Sequence, residues 1–167
     1  MKNLFTTFFL TFSLGVFANV GDTASYDIDM GGDTGSIVFT IDSLNAQTGM
    51  YTVEQVLTDD KGNAQTSTEE ADKVMTHESA AQMILFCPFI GGTLENITVA
   101  SETINTCKVS GSAAFFAQLM KQAKIDLKVN FTGNGTVWFG DIPVTGLAKA
   151  ELDDGSKMEL TAYSWAN

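Results

Sequence analysis

The chain has 167 residues, with 20 acidic side chains against nine basic ones, all of them Lys. This balance argues against nucleic-acid binding, which needs a cationic surface and is served best by the forked donors of Arg. No Gly-rich phosphate loop ending in Gly-Lys-Ser/Thr is present, and a single histidine, His77, leaves little room for histidine-based catalysis or metal binding.

Residues 1–18 have the pattern of a secretory signal peptide. Lys2 is their one charged side chain, an apolar stretch follows over residues 4–17, and Val16 and Ala18 occupy the small-residue positions before a cleavage point. A membrane anchor is the alternative, but Thr and Ser interrupt the apolar run, which is shorter than the roughly 20 residues that a span needs. We therefore predict a signal peptide over residues 1–18, a single β-rich domain over residues 19–167, and a periplasmic or secreted location.

Two short motifs near the start of the domain resemble known sites only in part. Residues 33–36 read Asp-Thr-Gly-Ser, as in aspartic proteases, but no second copy supplies the partner carboxylate that this chemistry needs. Residues 27–33 alternate carboxylates like a calcium loop, but Val38 stands where such a loop has its bidentate Glu. We expect a tight turn at residues 33–36 that leads into the next strand, and a solvated turn at residues 27–33, with an irregular calcium site left open.

Alternating apolar and polar residues, separated by Gly, Asn and Asp, predict a series of strands. They cover residues 36–42, 50–58, 94–99, 103–109, 125–131, 136–139, 146–152 and 157–165. The last two are joined by Asp153-Asp154-Gly155-Ser156, a strong hairpin signal. Because most of these strands follow one another without an intervening helix, we expect antiparallel pairing.

Two segments have helical rather than alternating patterns. Residues 76–86 begin with a capping-type Thr76 and end before Cys87-Pro88, and residues 112–124 begin with Ser112 and carry an apolar face. The predicted fold is mainly β (α+β): a curved antiparallel sheet or half-barrel of about 8–10 strands, with one or two short helices packed on it.

Cys87 and Cys107 are the only cysteines of the chain. In an oxidising compartment such a pair usually forms a disulfide. A structural zinc site needs four ligands, and a redox site typically has a Cys-x-x-Cys motif, which is missing here. We predict a structural Cys87–Cys107 disulfide, no metal site and no cofactor.

The apolar face of the second helical segment is the main candidate for a ligand site. It forms ordinary core, or it lines a pocket for an acyl-like ligand, because Met and Phe side chains adapt to such chains. The pocket candidates are Phe115, Phe116, Leu119, Met120, Trp138 and Phe139.

The second half of the chain resembles the LolA/LolB-like lipoprotein carriers. The resemblance rests on Cys-Pro-x-x-Gly-Gly-Thr-Leu-Glu at residues 87–95 and on Trp-Phe-Gly-Asp-Ile-Pro-Val at residues 138–144, before the terminal hairpin. It implies an incomplete β-barrel in which a curved antiparallel sheet wraps an apolar cavity covered by helices. It transfers no catalytic residue.

We therefore expect an exported binding protein without enzymatic activity, which holds an apolar or lipid-like ligand between the sheet and the helix over residues 112–124. The alternative is a structural or protein-interaction module of the cell envelope with a filled core. An apolar ligand or an envelope protein is the expected partner, with no nucleic acid and no membrane-spanning segment after cleavage of the signal peptide.

Overall fold

The computed structural model describes residues 18–112, 114–116 and 133–166. In this part of the chain the elements are β1 (Thr23–Met30), β2 (Asp33–Leu44), β3 (Tyr51–Asp59), β4 (Ala64–Ala71), α1 (His77–Phe86), a 3₁₀ helix (Cys87–Ile90), β5 (Thr93–Val99), β6 (Glu102–Ser112), β7 (Asn134–Phe139), β8 (Leu147–Leu152) and β9 (Lys157–Ser164).

These nine described strands form one open antiparallel sheet, in the order β4-β3-β2-β1-β9-β8-β7-β6-β5. Two runs of hairpins meet where β1 pairs with β9, so the beginning and the end of the domain lie side by side in the middle of the sheet. The predicted fold class, a mainly β protein with an open antiparallel sheet and short helices, is confirmed.

Strand alternation decides which side chains enter the core. In β1 the buried residues are Ala24 and Tyr26, and in β2 they are Phe39 and Ile41. We call this face of the sheet, to which Phe139 of β7 also belongs, the inner face. Its centre is closed, since Tyr26 and Phe39 are fully buried and contact each other edge to face with ring centroids 6.0 Å apart.

Helix α1 begins and ends where the sequence predicts. Thr76 accepts a hydrogen bond from the backbone N–H of Ser79, and the Ser79 hydroxyl accepts one from the N–H of Thr76, which closes a capping box. The following 3₁₀ helix has Pro88 in its first turn and ends at Gly91, whose φ of +82° favours glycine.

The structure corrects our expectation for residues 27–36. A turn does lie within residues 27–33, at Gly31-Gly32, but most of this range is strand β1, and residues 33–36, where we expected a tight turn, are already paired in β2. The φ values of these two glycines, +73° and +110°, explain why the turn falls there and not at the Asp-Thr-Gly-Ser motif. Strand β4 was also absent from our list, because its polar residues carry no apolar alternation.

The far end of the sheet curls back on itself. Edge strand β5 contacts β9, although three strands separate them in the sheet. Beside this contact, the Tyr163 hydroxyl donates a 2.6 Å hydrogen bond to the carboxylate of Glu102, the first residue of β6. The curl therefore brings the edge strand β5 against β9.

Three sequence predictions fall wholly or partly outside the described residues. They are the strand over residues 125–131, the pocket residues Leu119 and Met120, and most of the helix over residues 112–124. Residues 114–116 are helical, and the Ser112 hydroxyl accepts a hydrogen bond from the Phe115 N–H, as a helix cap would. Among the described helices, none combines the length and apolar character that crossing a bilayer requires.

Candidate functional site

The inner face of the sheet carries apolar side chains beyond its buried centre, out to residues that are exposed. From the buried centre at Tyr26 and Phe39, the same face continues toward the β1–β2 turn through Ile28, Ile37, Leu57 and Met30. We call these last four residues the apolar strip.

Register places the members of the apolar strip beside one another. Ile37 of β2 lies directly opposite Leu57 of β3, and its other neighbour across the sheet is Tyr26 of β1. Ile28 lies opposite Gly35, which has no side chain, and opposite Met158 of β9. The strip is therefore a cross-strand cluster rather than a set of isolated surface residues.

Exposure rises along the strip. Ile28 and Ile37 are half-buried against the core, whereas 40% of Leu57 and 56% of Met30 are exposed. Large apolar side chains grouped in this way, next to a core that they extend, mark a binding surface more often than singly scattered ones do.

Carboxylates lie at the exposed end of the strip. Strand alternation brings Asp33 and Asp59 to the inner face, since Asp33 is paired with Met30 and Asp59 with Gly35. The Asp59 carboxylate accepts hydrogen bonds from Asn63 and from the backbone N–H of Lys61, and these bonds lower its pKa. The strip thus begins at an apolar core and ends at negative charge.

The structure brings only some of the predicted pocket residues together. Phe116 is buried, and its ring contacts the half-buried Phe115 edge to face at 5.6 Å. Phe139 is buried on the inner face, opposite Cys107. Trp138 is also buried, but it directly precedes Phe139 in β7. Because adjacent residues of a strand point to opposite faces, Trp138 lies on the other face of the sheet. No pocket including Leu119 and Met120 is described, so the predicted pocket remains a prediction.

Trp138 belongs to a charged network on the other face of the sheet. Its indole Nε1 donates a hydrogen bond to Glu95, and the ammonium groups of Lys108 and Lys149 lie 5.1 and 5.5 Å from its ring centroid. Lys149 also pairs with Glu151 at 2.8 Å, which raises the pKa of Lys149. This arrangement stabilises the sheet by cation–π and ion-pair contacts, and its lysines are matched by carboxylates.

His77 lies on the surface at the start of α1. Its Nδ1 is 2.8 Å from both carboxylate oxygens of Asp141, and its ring stacks on Trp165 with centroids 3.7 Å apart. These contacts join the helix, the β7–β8 connection and the end of the chain. Among the described residues, no group of three or more His, Cys, Asp or Glu side chains is arranged to hold a metal ion.

The Cys87–Cys107 disulfide is present, as the cysteine count predicts. It joins the 3₁₀ helix to β6, and both cysteines are fully buried. Three large apolar side chains near the cysteines in the sequence or the sheet, Leu85, Phe89 and Leu94, are 69%, 76% and 47% exposed.

Sequence reasoning missed the apolar strip. The signal was available, because Ala24, Tyr26, Ile28 and Met30 recur at every second position, which is typical of a half-buried strand. The alternating Asp27 and Asp29 drew attention to a calcium loop instead. Leu57 belongs to the apolar strip because of the register between β2 and β3, and local sequence patterns do not determine this register.

Comparison with known proteins gives fold similarity only. No protein-family profile matches the sequence, and no curated protein matches it. Among solved structures the chain is similar to MucB at 10% identity and a TM-score of 0.43, over 88% of this chain and 54% of that one.

Two complexes of MucB give similar values. MucB bound to MucA(peri) matches at 10% identity and a TM-score of 0.43, over 88% of this chain and 50% of that one. The Pseudomonas aeruginosa MucA/MucB complex matches at 12% identity and a TM-score of 0.42, over 86% of this chain and 51% of that one. This chain therefore spans about half the length of the solved structures that it matches.

Proposed function

We propose that this protein is an exported binding protein without enzymatic activity, which holds an apolar, lipid-like ligand against the inner face of its sheet. The observation that carries the proposal is the apolar strip, where Leu57 and Met30 stay exposed although they continue the buried core. The buried disulfide and the predicted signal peptide support a location in an oxidising compartment outside the cytoplasm.

The shape of the strip favours a single acyl chain as the ligand. It spans three neighbouring strands, or about 10 Å, and its side chains are aliphatic or thioether groups without hydrogen-bonding atoms that would select a polar ligand. Phe115 and Phe116 remain the candidates for contacts from the helical segment, as the sequence predicts. Met30 supplies a flexible side chain that adapts to different chains.

The carboxylates at the exposed end favour a ligand with a neutral or cationic head group. An acyl chain on the strip places its head group near Asp33 and Asp59, and Asp59 stays ionised because its hydrogen bonds favour the charged form. An anionic head group is repelled there. Dodecyltrimethylammonium should therefore compete for the strip better than dodecyl sulfate.

The experiment measures binding of the neutral fluorescent probe N-phenyl-1-naphthylamine to the mature protein. We expect Leu57→Glu to weaken probe binding at least about tenfold, because it places a charge on the exposed part of the apolar strip, beside Ile37. Leu94→Glu is the matched control, since Leu94 is exposed to a similar extent, 47% against 40%, on the other half of the sheet.

Melting temperatures of both variants, measured under the same conditions, test whether each variant keeps the fold. Equal probe affinity in the wild type and in Leu57→Glu would contradict the proposal, as would equal losses in both variants. A filled core without probe binding would instead favour the alternative function, a structural or protein-interaction module.

A further inference from the structure

We propose that the edge of β4 that the other described strands leave unpaired binds an extended, cationic segment of a partner protein as an added antiparallel strand. This inference concerns a different surface from the apolar strip, and it does not depend on a lipid-like ligand. It rests on the position of β4, on the direction of its backbone groups and on the charge around it.

Among the described strands, β4 is the last one on its side of the sheet. It is paired with β3 over eight consecutive residue pairs without a register shift. At the opposite edge the sheet curls, with β5 in contact with β9 and with the 3₁₀ helix. The two edges therefore differ, and within the described part of the chain β4 presents a long, regular edge.

Strand β4 lacks several of the features that protect edge strands. Lys, Pro, a bulge or a very short length prevents an edge strand from pairing with another chain, and so does an inward-pointing charge. Strand β4 has the last of these in Glu69, opposite Val53 on the inner face, and this carboxylate disfavours an acidic partner strand but not a cationic one. Strand β4 reads AQTSTEEA, so it has eight residues, no Lys and no Pro, and it pairs with β3 without a bulge. Its first five residues are all exposed. It is therefore open to strand addition, a common mode of peptide recognition.

The hydrogen-bond pattern of the β3–β4 hairpin identifies the backbone groups that face the open edge. The Asp59 N–H donates to the Asn63 carbonyl at 3.1 Å, which makes this pair a hydrogen-bonded one. In an antiparallel ladder such pairs alternate with pairs whose N–H and C=O groups point outward. By this alternation the outward groups of β4 belong to Ala64, Thr66, Thr68 and Glu70.

The charge around this edge selects a cationic occupant. From Tyr51 to Asp72 the chain carries six acidic residues and one basic residue, Lys61. Glu70 is exposed, and Glu54 lies on the same face of the sheet, opposite Thr68. A segment with Lys or Arg at alternate positions would place these side chains beside both carboxylates. A second copy of this acidic chain would not.

The test measures fluorescence anisotropy of a labelled peptide that alternates Lys with Thr and Val, mixed with the mature protein. We expect Thr68→Pro to weaken binding about tenfold or more, because Pro removes an outward N–H and leaves the pairing with β3 intact. Glu70→Lys should weaken binding to a similar degree. Asp153→Lys is the matched charge reversal in a distant hairpin, and it should leave binding close to that of the wild type.

Hydrogen exchange of the wild-type protein provides a readout that does not depend on how the variants fold. Added peptide should slow exchange of the amides of Thr66, Thr68 and Glu70, and leave exchange at the apolar strip unchanged. Unchanged exchange along β4, or equal peptide affinity in the wild type and in Thr68→Pro, would overturn the proposal. A dimer in light scattering that Thr68→Pro abolishes would also overturn it, since the occupant would then be a second copy of this chain.

Discussion

At the scale of single residues, the polar side chains within the core are each held by specific partners. Tyr26 is fully buried, yet its hydroxyl donates to the Leu147 carbonyl at 2.8 Å and also bonds to the Thr145 hydroxyl. Burial raises the pKa of Tyr26, because the phenolate would lose its hydration. Its hydroxyl ties β1 to the start of β8 and so fixes the middle of the sheet.

The tyrosines give a pH prediction at this scale. The hydrogen bond to Glu102, with burial and the negative charges of Glu102 and Asp141, raises the pKa of Tyr163 to about 12. Because the folded protein holds this proton more tightly than the unfolded chain, the resulting stability is complete below about pH 10 and is lost as the pH rises toward 12.

We expect the tyrosinate absorbance of the folded protein at 295 nm to appear at a higher pH than in the ordinary titration of tyrosine. Glu102→Gln should shift the Tyr163 part of this titration to lower pH, because the charged acceptor is gone. Glu151→Gln is a control, since the Glu151 carboxylate pairs with Lys149 and not with a tyrosine. Superimposable titrations of the wild type and Glu102→Gln would show that this hydrogen bond does not hold the proton.

At the scale of elements, the disulfide fixes the end of a helix that is only partly buried. In α1 Ala80 is fully buried, Met83 and Ile84 pack half-buried against the core, and Leu85 near its end is 69% exposed. Cys87 fixes the end of this helix to β6. The covalent link and the capping box add to this apolar contact in holding the short helix in position.

Removal of the disulfide should therefore destabilise the protein measurably. Closing a loop with a sequence separation of 20 residues is worth about 3 kcal/mol in the chain-entropy model. We expect the Cys87→Ala/Cys107→Ala double variant to lose about this much free energy of unfolding in a urea titration. A reducing agent should destabilise the wild type similarly and leave the double variant unchanged. An equal response of both proteins to the reducing agent would contradict this role.

At the scale of the whole molecule, charge works against the compact state. The formal net charge is −11, and residues 19–167 carry −12 because Lys2 lies before them. Many carboxylates fall in turns, where backbone N–H groups hold them, as with Asp59 and Asp154. These hydrogen bonds lower the pKa values of Asp59 and Asp154, so both carboxylates stay charged and keep the surface negative.

Salt should stabilise the folded protein for this reason. Raising ionic strength from about 0.01 M to about 0.5 M shortens the screening length severalfold and weakens repulsion among the carboxylates. We expect the melting temperature to rise, and to rise less in a Glu70→Lys/Asp153→Lys variant, whose net charge is smaller. A melting temperature that falls with NaCl would show that ion pairs such as Lys149–Glu151 outweigh the repulsion.

The sequence by itself determined the local structure of this protein wherever the physical signal was local. Alternation gave β2, β3 and β5 to β9, capping gave α1, and the cysteine count gave the disulfide. Local patterns failed for β4, whose polar residues show no buried face, and for β1, where alternating aspartates hid the apolar positions.

Only the tertiary structure decided which residues form a surface together. Leu57 joins Ile28 and Ile37 because of the register among β1, β2 and β3. The open edge of β4 depends on the order of all the strands in the sheet. These features arise from pairings between residues far apart in the chain, whose energies depend on register and burial and leave no trace in local sequence.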